Sequence, residues 1–119
     1  MKAKCIKILS PATGKDLGTK SPWLTVGNIY VVLALTLKFD EITKILVESD
    51  ENNTPQDFYF NQFELVDDKE PKNWISQIAP NDEVWKAPAS WLKEGFWDKL
   101  DAGDEQAIVD YFKERVQMF

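Results

Sequence analysis

Catalysis and metal binding rest on a small set of side chains, and the most versatile of them is missing from this chain. It contains no histidine and a single cysteine. That removes the commonest general base and metal ligand, every Ser-His or Cys-His nucleophile, and any cysteine-cluster metal site. Cys5 lies in an apolar run and reads as a buried structural thiol. Carboxylates are plentiful, and Asp67-Asp68, Asp82-Glu83 and Asp104-Glu105 are adjacent pairs. Neighbours on a strand point to opposite faces and neighbours on a helix diverge, so adjacency does not build the facing pair that glycoside hydrolysis needs. Thr13-Gly14-Lys15 lacks the spaced first glycine and the following Ser or Thr of a phosphate loop. Asp50-Glu51-Asn52-Asn53-Thr54-Pro55 begins with the oxygen donors of a calcium loop. It then places Pro55 where the turn needs glycine and Asn61 where a bidentate Glu belongs, so an Asx turn fits it better. The expectation is a non-enzymatic protein with no cofactor and no metal.

Charge is the strongest remaining signal. The chain has 14 Lys and Arg against 20 Asp and Glu, for a net charge of −6, and the excess is uneven. Residues 1–38 hold six Lys against Asp16 alone, whereas residues 40–70 hold ten acids against Lys44 and Lys69. A nucleic-acid binder shows the opposite sign. The five tryptophans (Trp23, Trp74, Trp85, Trp91 and Trp97) do not repair that reading. Stacking on nucleic acid needs a basic groove, and four of the five lie in residues 39–119, which hold 19 acids against eight bases, so they read as core. The basic N-terminus reads as lysines blunting an edge strand. An acidic surface suits a basic protein partner, because a focused field raises the rate of encounter.

The elements that position these residues follow from apolar patterning and turn residues. A chain of 119 residues is long enough for one domain with its own core. Residues 5–9 form a first apolar run, and residues 29–37 are the strongest strand, apolar enough to be central and covered on both faces. Strands over 43–49, 57–60 and 63–65 follow, separated by turn signals. Alternation places Phe58 and Phe60 inward, with Asp57 and Tyr59 outward; Glu64 is outward, and Glu48 is outward opposite Ile45 and Val47. If the three segments form a meander, Glu48, Asp50, Glu51, Asp57, Asp67 and Asp68 gather at one end. With Tyr59 and Glu64 they form the expected partner-binding set. Residues 69–119 are a Trp-rich connector and helices. Ser90 is the expected N-cap of a helix through Leu100. A second helix opens at Asp104-Glu105 and buries Ile108, Tyr111, Phe112, Val116 and Phe119 on one face. The fold class is α+β: a single domain over 1–119, with a small twisted antiparallel sheet or SH3-like partial barrel over 1–68 and a C-terminal amphipathic helix.

The longest uninterrupted apolar run, residues 29–35, is too short to cross a bilayer. Lys7 interrupts the first apolar stretch with no cleavage site after it, so a cytoplasmic location is expected.

Four segments carry a resemblance: Ser21-Pro22-Trp23-Leu24-Thr25-Val26-Gly27, Ile29-Tyr30-Val31-Val32-Leu33, Phe63-Glu64-Leu65-Val66 and Gly95-Phe96-Trp97-Asp98. They resemble a small bacterial family associated with immunity proteins of contact-dependent or polymorphic toxin systems. The resemblance implies a cofactor-free inhibitor that covers the basic active site of a toxin, a nuclease in the first instance. It carries over no inhibitory residue. The rival expectation is a structural or adaptor domain of phage or mobile-element origin, whose acidity serves solubility alone.

Overall fold

A computed structural model describes the whole chain, Met1–Phe119. It is an α+β fold with two antiparallel sheets, eight strands and two C-terminal helices, and the strands do not close a barrel. β1 (Lys2–Cys5), β2 (Ile29–Val31) and β6 (Phe63–Asp67) make a three-stranded sheet in the order β2-β1-β6. β3 (Ala34–Lys38), β4 (Glu41–Glu48), β5 (Pro55–Tyr59), β7 (Ile75–Ile78) and β8 (Glu83–Ala87) make a five-stranded sheet in the order β5-β4-β3-β8-β7. Short 3₁₀ turns stand at Phe60–Gln62, Pro80–Asp82 and Ala89–Leu92.

The apolar run over 29–37 is not one central strand. It is a corner. β2 ends at Val31 on the edge of one sheet, and β3 begins at Ala34 inside the other. Val32 and Leu33 between them are fully buried; the Val32 amide donates to Met1 O at 3.0 Å and the Leu33 amide to Leu46 O at 2.8 Å. Val32 belongs to the core between the sheets, and Leu33 to the core beneath the helices. The run is apolar because it serves two cores in succession. The strand covered on both faces is β4: Ile45 and Val47 face the inter-sheet core, while Leu46 faces the helices.

β1 is likewise not an edge. It lies between β2 and β6, and Lys2 and Lys4 stand opposite Asp67 and Glu64 in the ladder. Its lysines face acids across the strands, a favourable cross-strand arrangement.

The C-terminal part departs from expectation in two places. The helix from Ser90 to Leu100 is broken: a 3₁₀ turn ends at Leu92, Gly95 adopts φ 79°, and α1 spans Phe96–Asp101. A left-handed residue cannot continue a right-handed helix, and glycine takes that conformation without a Cβ penalty. α2 (Glu105–Arg115) starts as its sequence dictates, with the Asp104 carboxylate accepting from the Ala107 amide at 2.9 Å. Its rotation differs, however. Only Tyr111 of the expected face is buried, beside Ala107; Ile108, Phe112, Val116 and Phe119 are exposed. Trp91 fixes this rotation. It is 1% exposed and stacks on Tyr111 at 5.0 Å between ring centroids. Long-range polar contacts act in the same sense, because Arg115 bonds Glu48 and Asn73 bonds Glu114.

Candidate functional site

The 3₁₀ turn at Phe60–Gln62 decides where the nominated acids lie. Gln62 is buried: its carbonyl accepts from the Ile6 amide at 2.9 Å and its side-chain oxygen from the Leu9 amide at 2.9 Å. These bonds carry the chain out of the five-stranded sheet, and Phe63 pairs with Cys5. β6 therefore joins β1, whereas β5 stays with β4, and the expected three-strand meander does not form.

The eight nominated residues divide accordingly. Glu64 and Asp67 are on β6 and Asp68 just beyond it, all exposed and all in the three-stranded sheet. Glu48 is not outward; it turns under α2, where Arg115 Nε donates to Oε1 at 2.6 Å. Asp50 acts within the fold. Its carboxylate accepts from Thr25 Oγ1 at 2.8 Å and Tyr30 Oη at 3.0 Å, and its amide donates to Trp23 O. Glu51 is exposed in the following turn, where Asn52 and Asn53 both adopt left-handed φ near 54°. The turn is closed by the Thr54 amide donating to Glu51 O at 3.0 Å, and the expected Asx turn does not form, because the Asp50 carboxylate is engaged by Thr25 and Tyr30 instead; no three His, Cys, Asp or Glu side chains converge to hold a metal ion.

Asp57 and Tyr59 remain, and the structure does bring these two together on one face of β5. The five-stranded sheet is wider than the helices that cover it. Its uncovered part, with the Trp91–Trp97 segment as a wall, forms an open groove of about 710 Å³. Asp57 and Lys44 lie in it from β5 and β4, Glu83 and Trp85 from β8, and Glu94, Trp97 and Asp101 from the helical wall. Trp85 Nε1 donates to Glu83 Oε2 at 3.2 Å, which holds the indole against the sheet. Lys44 stands 5.4 Å above the Tyr59 ring, a cation–π contact across the β4–β5 pair. A second hollow of about 610 Å³, lined by Trp23, Leu24, Phe58, Tyr59 and Gln62, flanks the other side of β5 and shares Lys44 and Asp57 with the first. Asp57 keeps solvent-exposed surface, yet protein atoms crowd it from both hollows. That desolvation pushes its carboxyl above the usual carboxylate range, with Lys44 offsetting part of the effect.

Glu83, Glu94 and Asp101 were beyond reach of local sequence patterns, since they come from three separate elements. The tryptophans read from sequence as core divide: Trp91 is buried, while Trp85 and Trp97 are partly exposed and line the groove. An apolar floor, aromatic walls and charges of both signs suit binding of a polypeptide surface. No protein-family model, curated protein or solved structure matches the chain.

Proposed function

We propose that this protein is a non-enzymatic acidic binding domain that neutralises a basic protein, in the manner of an immunity protein covering the active site of a nuclease toxin. One observation carries this reading. Sixteen of the twenty acidic residues are exposed, and of those sixteen only Glu70 is in an ion pair, with Lys86 at 2.8 Å. The fold leaves most of its surface carboxylates outside direct ion pairs on a chain of net charge −6, and that excess of negative charge steers a cationic partner. The groove along β5 and β8 offers that partner carboxylates beside Trp85 and Trp97, a combination that accepts Lys and Arg side chains by ion pairing and cation–π contact.

A second reading is an adaptor or structural domain without inhibitory activity. It draws on the outer face of α2, where Ile108, Val109, Phe112, Val116 and Phe119 are exposed together.

Affinity capture from the native host at low ionic strength, with elution by salt, separates the two. The inhibitor reading expects a basic protein whose own activity falls stoichiometrically when this chain is added. Capture of a protein whose activity is untouched, or of neutral and acidic proteins only, rejects inhibition and favours the adaptor.

A further inference from the structure

Three of the four sheet edges carry a device that discourages strand addition. β5 opens on Pro55 and carries Asp57, β6 carries Glu64 and Asp67, and β2 is three residues long. Proline, edge charge and short length all weaken an edge as a template for another strand. β7 has neither charge nor proline. Its four residues, Ile75-Ser76-Gln77-Ile78, are all exposed, Ile78 by 86%. They sit within residues 73–81, which are uncharged throughout in a chain where 29% of residues are charged.

The hydrogen-bond alternation fixes what this edge presents. The Ala79 amide donates to Glu83 O at 2.9 Å, and Ile75 through Ile78 pair with Ala87 through Val84 in unbroken register. In an antiparallel ladder the N–H and C=O of one residue point to the same neighbour, and the direction alternates along the strand. Ile75, Gln77 and Ala79 therefore face β8, while the backbone groups of Ser76 and Ile78 face out of the sheet. Groups so arranged are completed by another strand.

We propose that β7 is the interface of a homodimer, in which two copies pair their β7 strands antiparallel about a two-fold axis through Gln77. In this register Ser76 bonds the partner's Ile78 and Ile78 bonds the partner's Ser76, so every outward donor meets an acceptor. Ile75 gains the partner's Ala79 as a cross-strand neighbour on the helix side, and Ile78 gains the partner's Ser76 on the other. A second copy suits this edge because the edge complements itself. Donors and acceptors recur at matching spacing, and the pairing brings no like charges together on a chain of net charge −6. Four paired residues bury little against the roughly 1,000 Å² of a stable interface. The dimer is therefore a weak one that forms at high protein concentration.

Sedimentation equilibrium on the full chain is the first test. The expected result is a concentration-dependent mass approaching twice 13.7 kDa, with association weakened at least tenfold by Ile78→Lys. Position is read by Gln77→Cys. Paired residues that are not hydrogen-bonded lie about 4.5 Å apart at Cα, within the span a disulfide bridges, and the native Cys5 is buried. Mild oxidation should convert Gln77→Cys to a covalent dimer much faster than Glu64→Cys on the charged β6 edge. A monomeric mass at millimolar concentration overturns the proposal. So does a dimer that cross-links no faster through position 77 than through position 64.

Discussion

Arg115 Nε lies 2.6 Å from Glu48 Oε1, joining the end of α2 to the last residue of β4 across 67 positions of sequence. Both side chains are largely sheltered, so loss of either partner leaves a charge with poor access to water. Glu48→Gln and Arg115→Met should each cost about 1–3 kcal/mol in urea unfolding. The double variant should cost less than the sum of the two, and strict additivity would show that the pair is not coupled.

Tyr111 has a buried hydroxyl with no hydrogen-bond partner. Burial raises its pKa, the Glu48 charge adds to the rise and Arg115 opposes it; burial raises Tyr30 as well. Both groups ionise more readily in the unfolded chain, near pH 10. Their contribution is therefore complete below pH 10 and is lost as pH rises from there through the folded-state values. Denaturation midpoints should fall above pH 10, and Tyr111→Phe should reduce that fall while leaving neutral-pH stability unchanged or improved. Tyr111→Ala, by contrast, should cost about 3–5 kcal/mol through the cavity left against Trp91.

Asp57 has its carboxyl raised by desolvation, with Lys44 opposing. The ionised form is thus disfavoured by the fold, and the penalty sets in as pH rises above the unfolded value of 3.8. Asp57→Asn should stabilise the protein at pH 7, and the gain should disappear below about pH 4. A gain that persisted in acid would show that charge is not its source.

Phe39 and Asp40 form the two-residue turn between β3 and β4, with φ of 51° and 63°. That turn favours Asn-Gly, and a bulky aromatic in the left-handed region is unusual. Phe39 is also 75% exposed, so packing does not explain it. Phe39→Asn should raise stability by about 0.5–1 kcal/mol, measured by thermal or urea unfolding.

The groove acids supply the functional prediction. Neutralising Asp57, Glu83, Glu94 and Asp101 to Asn or Gln should slow association with a captured basic partner and flatten its dependence on salt, which screens over about 8 Å at physiological strength. The same exchange at Glu51, Glu64, Asp67 and Asp68, all exposed, removes equal charge away from the groove. Stopped-flow rates should separate the two variants; equal slowing would reduce the effect to net charge.

What the sequence by itself determined is local. Missing histidine, a lone cysteine and a negative balance need no coordinates to limit the chemistry. The turn residues of 50–55, the β-branched runs of 43–49, the alternation of 57–60 and the Asp104 cap mark elements because each acts on its own backbone within a few residues. Tertiary structure decided which neighbour covers each face. Apolar patterning reports that Val32, Leu33, Ile108 and Phe112 avoid water in principle, but it does not say that the first two turn a corner between cores while the last two stay exposed. Glu48 reads as outward from alternation and is held inward by Arg115, a contact with no local signal. The groove is of the same kind: its acids come from β5, β8 and the helical wall, and only the long-range pairing of β3 with β8 and the stacking of Trp91 on Tyr111 bring those elements to one face.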